Sequence, residues 1–412
     1  MLNWTIEEPF GRDWAAEVVW RDVPGLADMA QPLSILIDDT CHRPAQVDGN
    51  RLAFVTDLPA GTQRRYELLP VAGETKAQTT ALGEPLLVID TDTATISAPG
   101  GAGVRLAWTG APPSASLLAL RRTDGTWGEV TADWPGADVL SRQEHVLAHG
   151  PVLVRLQQIF ALAEGATVAL TWEVDAVSPA VRVGIDVHGQ VNGELVLHLG
   201  SVCTPQQAYW RPHSPSPSRG GTGSHKRQIY DVPVNDRVAL GPFYNWASDA
   251  AAFWTCWGPH SPDLLYAGWV RPSQTRLEGP LKRLQLHVQQ DQGLIDVRIP
   301  LQGGRRRLVF AVLDRQQLRL ATDGPAGDLD TLHARWNGPG LDDLQRMDLQ
   351  AAVHGTTGFP RLLLRAEDVA AVRRRLRDWP WLREQLAVHA DDVILDSQAR
   401  PGLDLSGTPR LL

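Results

Sequence analysis

Cysteine is scarce, with only Cys41, Cys203 and Cys256 among 412 residues. The count is odd and the positions widely scattered, which argues against a disulfide framework and matches no zinc-ligand spacing. No apolar run approaches the roughly 20 residues that span a bilayer, so no membrane partner is expected. Cations are outnumbered: the net charge of −8 suits a soluble chain and argues against nucleic acid as a partner. Residues 1–9 lack the basic stretch and apolar core of a secretory leader. As it stands the chain is expected in the cytoplasm, or outside it if the N-terminus is incomplete. Helical periodicity is almost missing across the central 230 or so residues, which excludes an α/β or all-α core there.

Tryptophan, by contrast, is abundant. Fifteen Trp exceed the 5 Tyr and 7 Phe together, inverting the usual order. An indole offers a broad apolar face with one N–H donor, which suits stacking on the C–H face of a sugar ring. Most of these rings are expected to fill a large β core, and a few to face sugar. Apolar residues at 43% and charged residues at 21% are those of a globular chain, and the length suggests two or three domains.

Short strands punctuated by turns organise residues 1–80. Ser34–Asp38, Leu52–Thr56 and Arg65–Leu69 read as strands; Asp48-Gly49 marks a hairpin and Leu58-Pro-Ala-Gly61 a turn. This spacing predicts a small barrel-like β domain. The polar stretch 73–80 predicts a boundary. Strand signals then crowd residues 84–322, among them 152–156, 168–172, 181–187, 194–199, 264–269, 284–288 and 308–313. So many strands without crossover helices predict a large antiparallel sandwich. From 328 onward the apolar spacing lengthens toward 3.6. Val369, Val372, Leu376 and Trp379 form one stripe, with Glu367 and Asp368 early and Arg373, Arg374, Arg375 and Arg377 late, as the helix dipole favours. Pro380 ends that run and a second helix is expected from Trp381. Two helices cannot bury their own apolar faces, so 328–412 is read as the start of a helical domain cut short at Leu412.

The phrase Phe359-Pro-Arg-Leu-Leu-Leu-Arg-Ala-Glu-Asp-Val369, followed by Arg373–Leu382, resembles the entry to the (α/α) toroid of heparinase II/III-like polysaccharide lyases. Upstream, residues 54–68 resemble the small β domain of exo-rhamnogalacturonan lyase-like proteins. Those proteins join a small β-barrel, a galactose-mutarotase-like supersandwich and a helical toroid, the order expected here. The resemblance implies a mainly β fold and a polysaccharide lyase acting on uronate-containing glycans. It also implies a cleft between sandwich and toroid, so that this length of chain alone would be inactive. It carries over no catalytic residue.

One stretch inside the sandwich stands out by charge. No acidic residue lies between Glu194 and Asp231, yet the segment holds Arg211, Arg219, Lys226 and Arg227 with His198, His213 and His225. Its middle, 212–224, is long and turn-rich, and such loops in compact domains are functional or disordered. β-Elimination removes a proton α to a uronate carboxylate, which needs a cation to hold the developing charge and a base brought toward neutrality. His213, His225, Tyr230 and Arg227 are therefore the catalytic candidates. Tyr209, Trp210, Arg211, Lys226, Tyr244, Trp246, Trp254 and Trp257 are the candidate carbohydrate contacts. The competing reading is a solvated loop whose charges keep it off the core. No metal or cofactor is expected: His213 and His225 have no ligand spacing, Asp90-Thr-Asp-Thr lacks the rest of a calcium loop, and Gly100-Gly-Ala-Gly103 precedes no helix. Two rival functions remain open: a glycoside hydrolase or epimerase using the sandwich, and a non-catalytic carbohydrate-binding or structural module.

Overall fold

The computed structural model describes residues 2–8, 13–26, 29, 32–70, 83–189, 191–211, 228–231, 238–239, 253–258, 262–269, 276–277, 285–289, 293–320, 328–337 and 340–341. Within them the protein is mainly β, and every strand ladder is antiparallel.

The first sheet contains β1 (Leu2–Glu7), β2 (Trp14–Asp22), β3 (Leu33–Ile37), β4 (Cys41–Asp48), β5 (Arg51–Leu58) and β6 (Gln63–Pro70), in the order β1-β6-β3-β4-β5-β2. All six strands send side chains into one core, among them Trp4, Val19, Ile35, Ala45, Phe54 and Tyr66. Trp4 stacks on Tyr66 with centroids 5.5 Å apart and meets Phe54 edge-on at 5.7 Å. Burial pushes the Tyr66 phenol up to about 12, against a smaller opposing effect of its hydrogen bond with Thr56. The hairpin expected at Asp48-Gly49 forms one residue later. Asp48 pairs with Arg51, and the loop residues are Gly49 and Asn50, with Gly49 at φ 61°. A two-residue loop that opens with positive φ selects glycine at that position.

Strand β5 is buried on both sides. Leu52, Phe54 and Leu58 fill the first sheet's core, while Ala53 and Val55 pack against Ala148, Val152 and Leu153. That accounts for its nearly unbroken apolar run. Polar atoms close the same joint: Gln46 Oε1 accepts from the backbone N–H groups of Val152 (3.1 Å) and Leu153 (2.9 Å).

The sandwich follows. One five-stranded sheet holds β7 (Leu86–Ile89), β8 (Thr93–Ser97), β9 (Gly103–Ala107), β10 (Leu117–Arg121) and β11 (Trp127–Glu129). The ten-stranded sheet is built from β13 (Val139–His149), β14 (Leu153–Leu162), β15 (Thr167–Asp175), β16 (Ala180–His188), β18 (Gln207–Arg211), β19 (Gln228–Asp231), β21 (Phe253–Trp257), β22 (Asp263–Trp269), β23 (Arg276–Leu277) and β26 (Gly304–Asp314). A second five-stranded sheet joins β12 (Thr131–Asp133), β17 (Glu194–His198), β25 (Leu294–Pro300), β24 (Gln285–Gln289) and β20 (Val238–Ala239), in that order. Alternate residues of all three sheets meet in one core that includes Leu106, Leu120, Leu156, Phe160, Leu170, Trp172, Ile185, Leu197 and Val297. The polar atoms in that core are matched. Gln158 accepts from Trp172 Nε1 (3.1 Å) and Ser116 Oγ (3.0 Å) and donates to the Ala107 carbonyl (2.8 Å). Buried amides left unmatched would each cost about 1–3 kcal/mol.

Helix α1 (Asp328–Asn337) crosses the outer face of the ten-stranded sheet, burying Leu329 and Trp336 against Trp257, Leu264, Tyr266 and Val309. Tyr266 Oη lies 2.6 Å from His333 Nδ1. Leu341 joins the core of the first sheet. The helices expected at 366–379 and from Trp381 lie outside the described residues.

Candidate functional site

Nine tryptophans have described side chains, and they serve packing or lie against arginines. Trp4, Trp14, Trp108, Trp134, Trp172, Trp257 and Trp336 are buried. Trp20 lies beneath both Arg51 and Arg155, and Trp127 beneath Arg105. A buried ring offers no face to a sugar, and a guanidinium takes up one face of the ring it covers, which leaves the candidate functional side chains to other parts of the fold.

The second five-stranded sheet supplies them. Leu195 and Leu197 of β17, and Ile295 and Val297 of β25, point into the core. Strand alternation therefore sends His198, Asp296 and Arg298 to the opposite face. The register sets Thr131, His198, Asp296 and His287 side by side across four strands. His198 Nδ1 is 2.7 Å from Asp296 Oδ1, and His198 Nε2 is 3.0 Å from Asp133 Oδ2. The two carboxylates differ: the Asp296 side chain is 6% exposed and that of Asp133 is 71% exposed, with the imidazole at 31% between them. On the same face Arg298 pairs with Glu194 at 2.8 Å.

Two carboxylates on two ring nitrogens favour a proton on both, because a neutral imidazole can donate from only one. Burial by itself pulls the His198 pKa down; hydrogen bonds to Asp296 and Asp133, with their charges, outweigh it and raise the pKa above the usual imidazole value. The result is an imidazole whose protonated form is favoured, anchored from behind by a buried acid and touching an open one. Such a unit can deliver a proton and receive one within a single hydrogen-bond length.

A second charged cluster lies on the outer face of the ten-stranded sheet. Arg155 bridges Glu173 and Asp48 at 3.1 Å each, and Arg182 contacts Asp175 and, at 3.6 Å, Glu173. Burial works to raise the Glu173 pKa, but Arg307, Arg182 and Arg155 together hold it below the ordinary carboxylate value. Here the first sheet sits on top: Asp48 belongs to β4, and Trp20 of β2 lies 5.1 Å from the Arg155 guanidinium. This cluster is a joint between sheets.

The residues singled out from the sequence fall into three groups. His213, His225, Lys226, Arg227, Tyr244 and Trp246 lie outside the described residues. Tyr209, Trp210 and Arg211 stand on β18, Tyr230 on β19 and Trp254 on β21; Trp210 pairs with Trp254, and Tyr230 with Ala208. Trp257 is 3% exposed, with the Arg315 guanidinium 5.0 Å from its ring, a packed position and not a sugar platform. His198 lies within the acid-free segment but is not among the site residues the sequence singles out. A signal existed: His198 and Asp296 are polar residues set alternately among Leu, Ile and Val in strands, where Asp is normally depleted. Among the described residues, no group of three or more His, Cys, Asp or Glu is arranged to hold a metal ion, and no helix is long and apolar enough to cross a membrane.

No protein-family model and no curated protein matches the sequence. Among solved structures, the chain is similar to a glycosyl hydrolase family 38 protein from Enterococcus faecalis, at 9% identity and a TM-score of 0.36, covering 76% of this chain and 44% of that one. An α-mannosidase from Enterococcus faecalis V583 aligns at 9% identity and a TM-score of 0.37, covering 76% and 42%. A Klebsiella pneumoniae protein described as an aldose 1-epimerase aligns at 10% identity and a TM-score of 0.33, covering 74% of this chain and 93% of that one. The chain thus spans less than half the length of the two hydrolases. Superpositions this partial leave the function to be read from the site's own residues.

Proposed function

We propose that the protein acts on carbohydrate by general acid–base chemistry at the anomeric centre, with His198 as proton donor, Asp133 as proton acceptor and Asp296 as the residue that orients and charges the imidazole. The observation that carries this reading is the imidazole held between a buried and an exposed carboxylate on the polar face of the sheet. Opening a cyclic sugar needs a proton delivered to the ring oxygen and one removed from the anomeric hydroxyl. His198 Nε2 supplies the first as its hydrogen bond to Asp133 gives way, and the freed Asp133 carboxylate takes the second. The ring C–O bond breaks, the carbonyl forms, and reclosure on its other face returns both protons.

This chemistry displaces the β-elimination expected from the toroid-like phrase as the leading reading. A uronate carboxylate would meet Asp133 and Asp296 at this face, and like charges repel. Hydrolysis across a glycosidic bond calls for two carboxyls on opposite sides of the sugar, whereas both of these are committed to one imidazole.

The test is polarimetry of freshly dissolved neutral aldoses with wild type, His198→Gln and Asp133→Asn. Catalysed anomer exchange should fall by about 10²-fold or more in each variant, the usual contribution of a positioned acid or base. An unchanged rate in both, or unsaturated-product absorbance from a uronate polymer that survives His198→Gln, would overturn the assignment.

A further inference from the structure

The three cysteines are unrelated along the chain, yet the fold brings two of them together. Cys203 follows β17 on a turn closed by the Val202 N–H donating to the Leu199 carbonyl at 2.9 Å. That turn is pressed tightly onto the start of β25, since a Cβ at Gly200 would collide with the Gly293 carbonyl. Cys256 lies within β21, paired with Ala208 of β18. The two Sγ atoms are 3.6 Å apart, and Cys203 Sγ is also 3.4 Å from the Cys256 carbonyl oxygen. Both thiols belong to the sandwich core, with Cys203 5% exposed and Cys256 fully enclosed. Cys41 sits beside the separate core of the first sheet.

We infer that Cys203 and Cys256 form an oxidisable dithiol, which a small-molecule disulfide converts to a crosslink between the sheet carrying His198 and the ten-stranded sheet. The Cys203 thiolate, nearer the surface, attacks one sulfur of the reagent and expels the other as a thiolate, leaving a mixed disulfide. Cys256 then loses its proton and attacks the Cys203 sulfur, expelling the second reagent thiolate. The two protein protons end on the two released thiols, and the reagent's disulfide is reduced as the protein's forms. Burial and the neighbouring Cys203 push the Cys256 thiol well up, so the closing step, which needs the Cys256 thiolate, accelerates with rising pH. The crosslink joins two residues 53 apart along the chain. Holding them together removes freedom from the unfolded chain and so favours the folded one.

The experiment incubates the native full chain with oxidised glutathione at neutral and mildly alkaline pH, then maps thiols by digestion and mass spectrometry. Expected is a linked 203–256 peptide pair, two hydrogens lighter than its reduced parts, formed faster at the higher pH. A thermal midpoint higher by about 5 °C, reversed by reductant, should accompany it. Cys203→Ser should abolish the link and Cys41→Ser should leave it intact. A glutathione adduct that never resolves, a link through Cys41, a link that forms only after denaturant is added, or a crosslinked protein no more stable than the reduced one would overturn the inference. The wild-type measurements stand even if the Cys203→Ser variant fails to fold.

Discussion

Two sheets of this protein carry charge on their outer faces, and they use it differently. On the ten-stranded sheet, Arg155, Glu173, Arg182 and Asp175 are covered by β2, β4 and β5 of the first sheet, and Asp48 completes the network from the other side of the joint. On the second five-stranded sheet, His198 has the buried Asp296 at one ring nitrogen, but at the other it has Asp133, which is mostly in solvent. The covered cluster has its charges matched among protein groups. The open cluster keeps one acid exposed beside the imidazole. Similar residue types therefore become a fastening where a neighbour covers them and keep a solvent-facing acid where none of the described elements does.

The largest effect should come from breaking the covered network. Arg182→Met leaves Glu173 and Asp175 short of a cation in a buried joint, and losing one partner of a buried pair costs about 3–5 kcal/mol. Chemical denaturation should register that loss while the His198 titration stays where it was. A shifted His198 titration would mean that the two faces are coupled after all. Wild-type stability should also fall in acid: the Glu173 pKa is depressed in the folded state, so its contribution is present above the unfolded carboxylate value and disappears as pH drops through the folded one.

A smaller and purely local change is expected at the open face. Asp133→Asn removes one of the two hydrogen-bonded charges that raise the His198 pKa, so the imidazole should titrate lower than in wild type, as followed by NMR of its ring protons. The linkage has the opposite sign to that of Glu173. With the folded pKa raised, the stabilisation by His198 is full below the unfolded imidazole value of about 6.5 and is lost as pH rises through the folded value. A titration that does not move would detach Asp133 from the imidazole's charge.

The smallest effect should follow removal of Arg211, Lys226 and Arg227 together. With a neutral sugar as substrate, affinity measured by calorimetry should hardly change, and stability should move by no more than about 1 kcal/mol for charges of this kind at a surface. A selective, salt-sensitive loss of affinity for a uronate-containing oligosaccharide would instead restore an acidic glycan as the ligand and the acid-free segment as its contact.

Much of the architecture is written in local pattern. The run 181–187 alternates apolar and small or polar residues and became β16, because a strand's period of two sorts its side chains without outside help; the apolar-rich runs 152–156 and 168–172 fell in β14 and β15. The turn at Gly49 was visible for a similarly local reason, a backbone angle that glycine adopts readily. The double burial of β5 was not legible, since a strand's pattern does not say what lies against its second face.

By itself, then, the sequence determined that the chain makes antiparallel sheets and that its alternating strands hide one face and show the other. Only the tertiary structure decided what those faces hold. Asp133, His198 and Asp296 come from three strands, with His198 65 residues from one partner and 98 from the other, and Cys203 and Cys256 are 53 residues apart. Each convergence depends on which strands become neighbours and in what register, and that is set by long-range packing of whole sheets, which spacing along the chain does not encode.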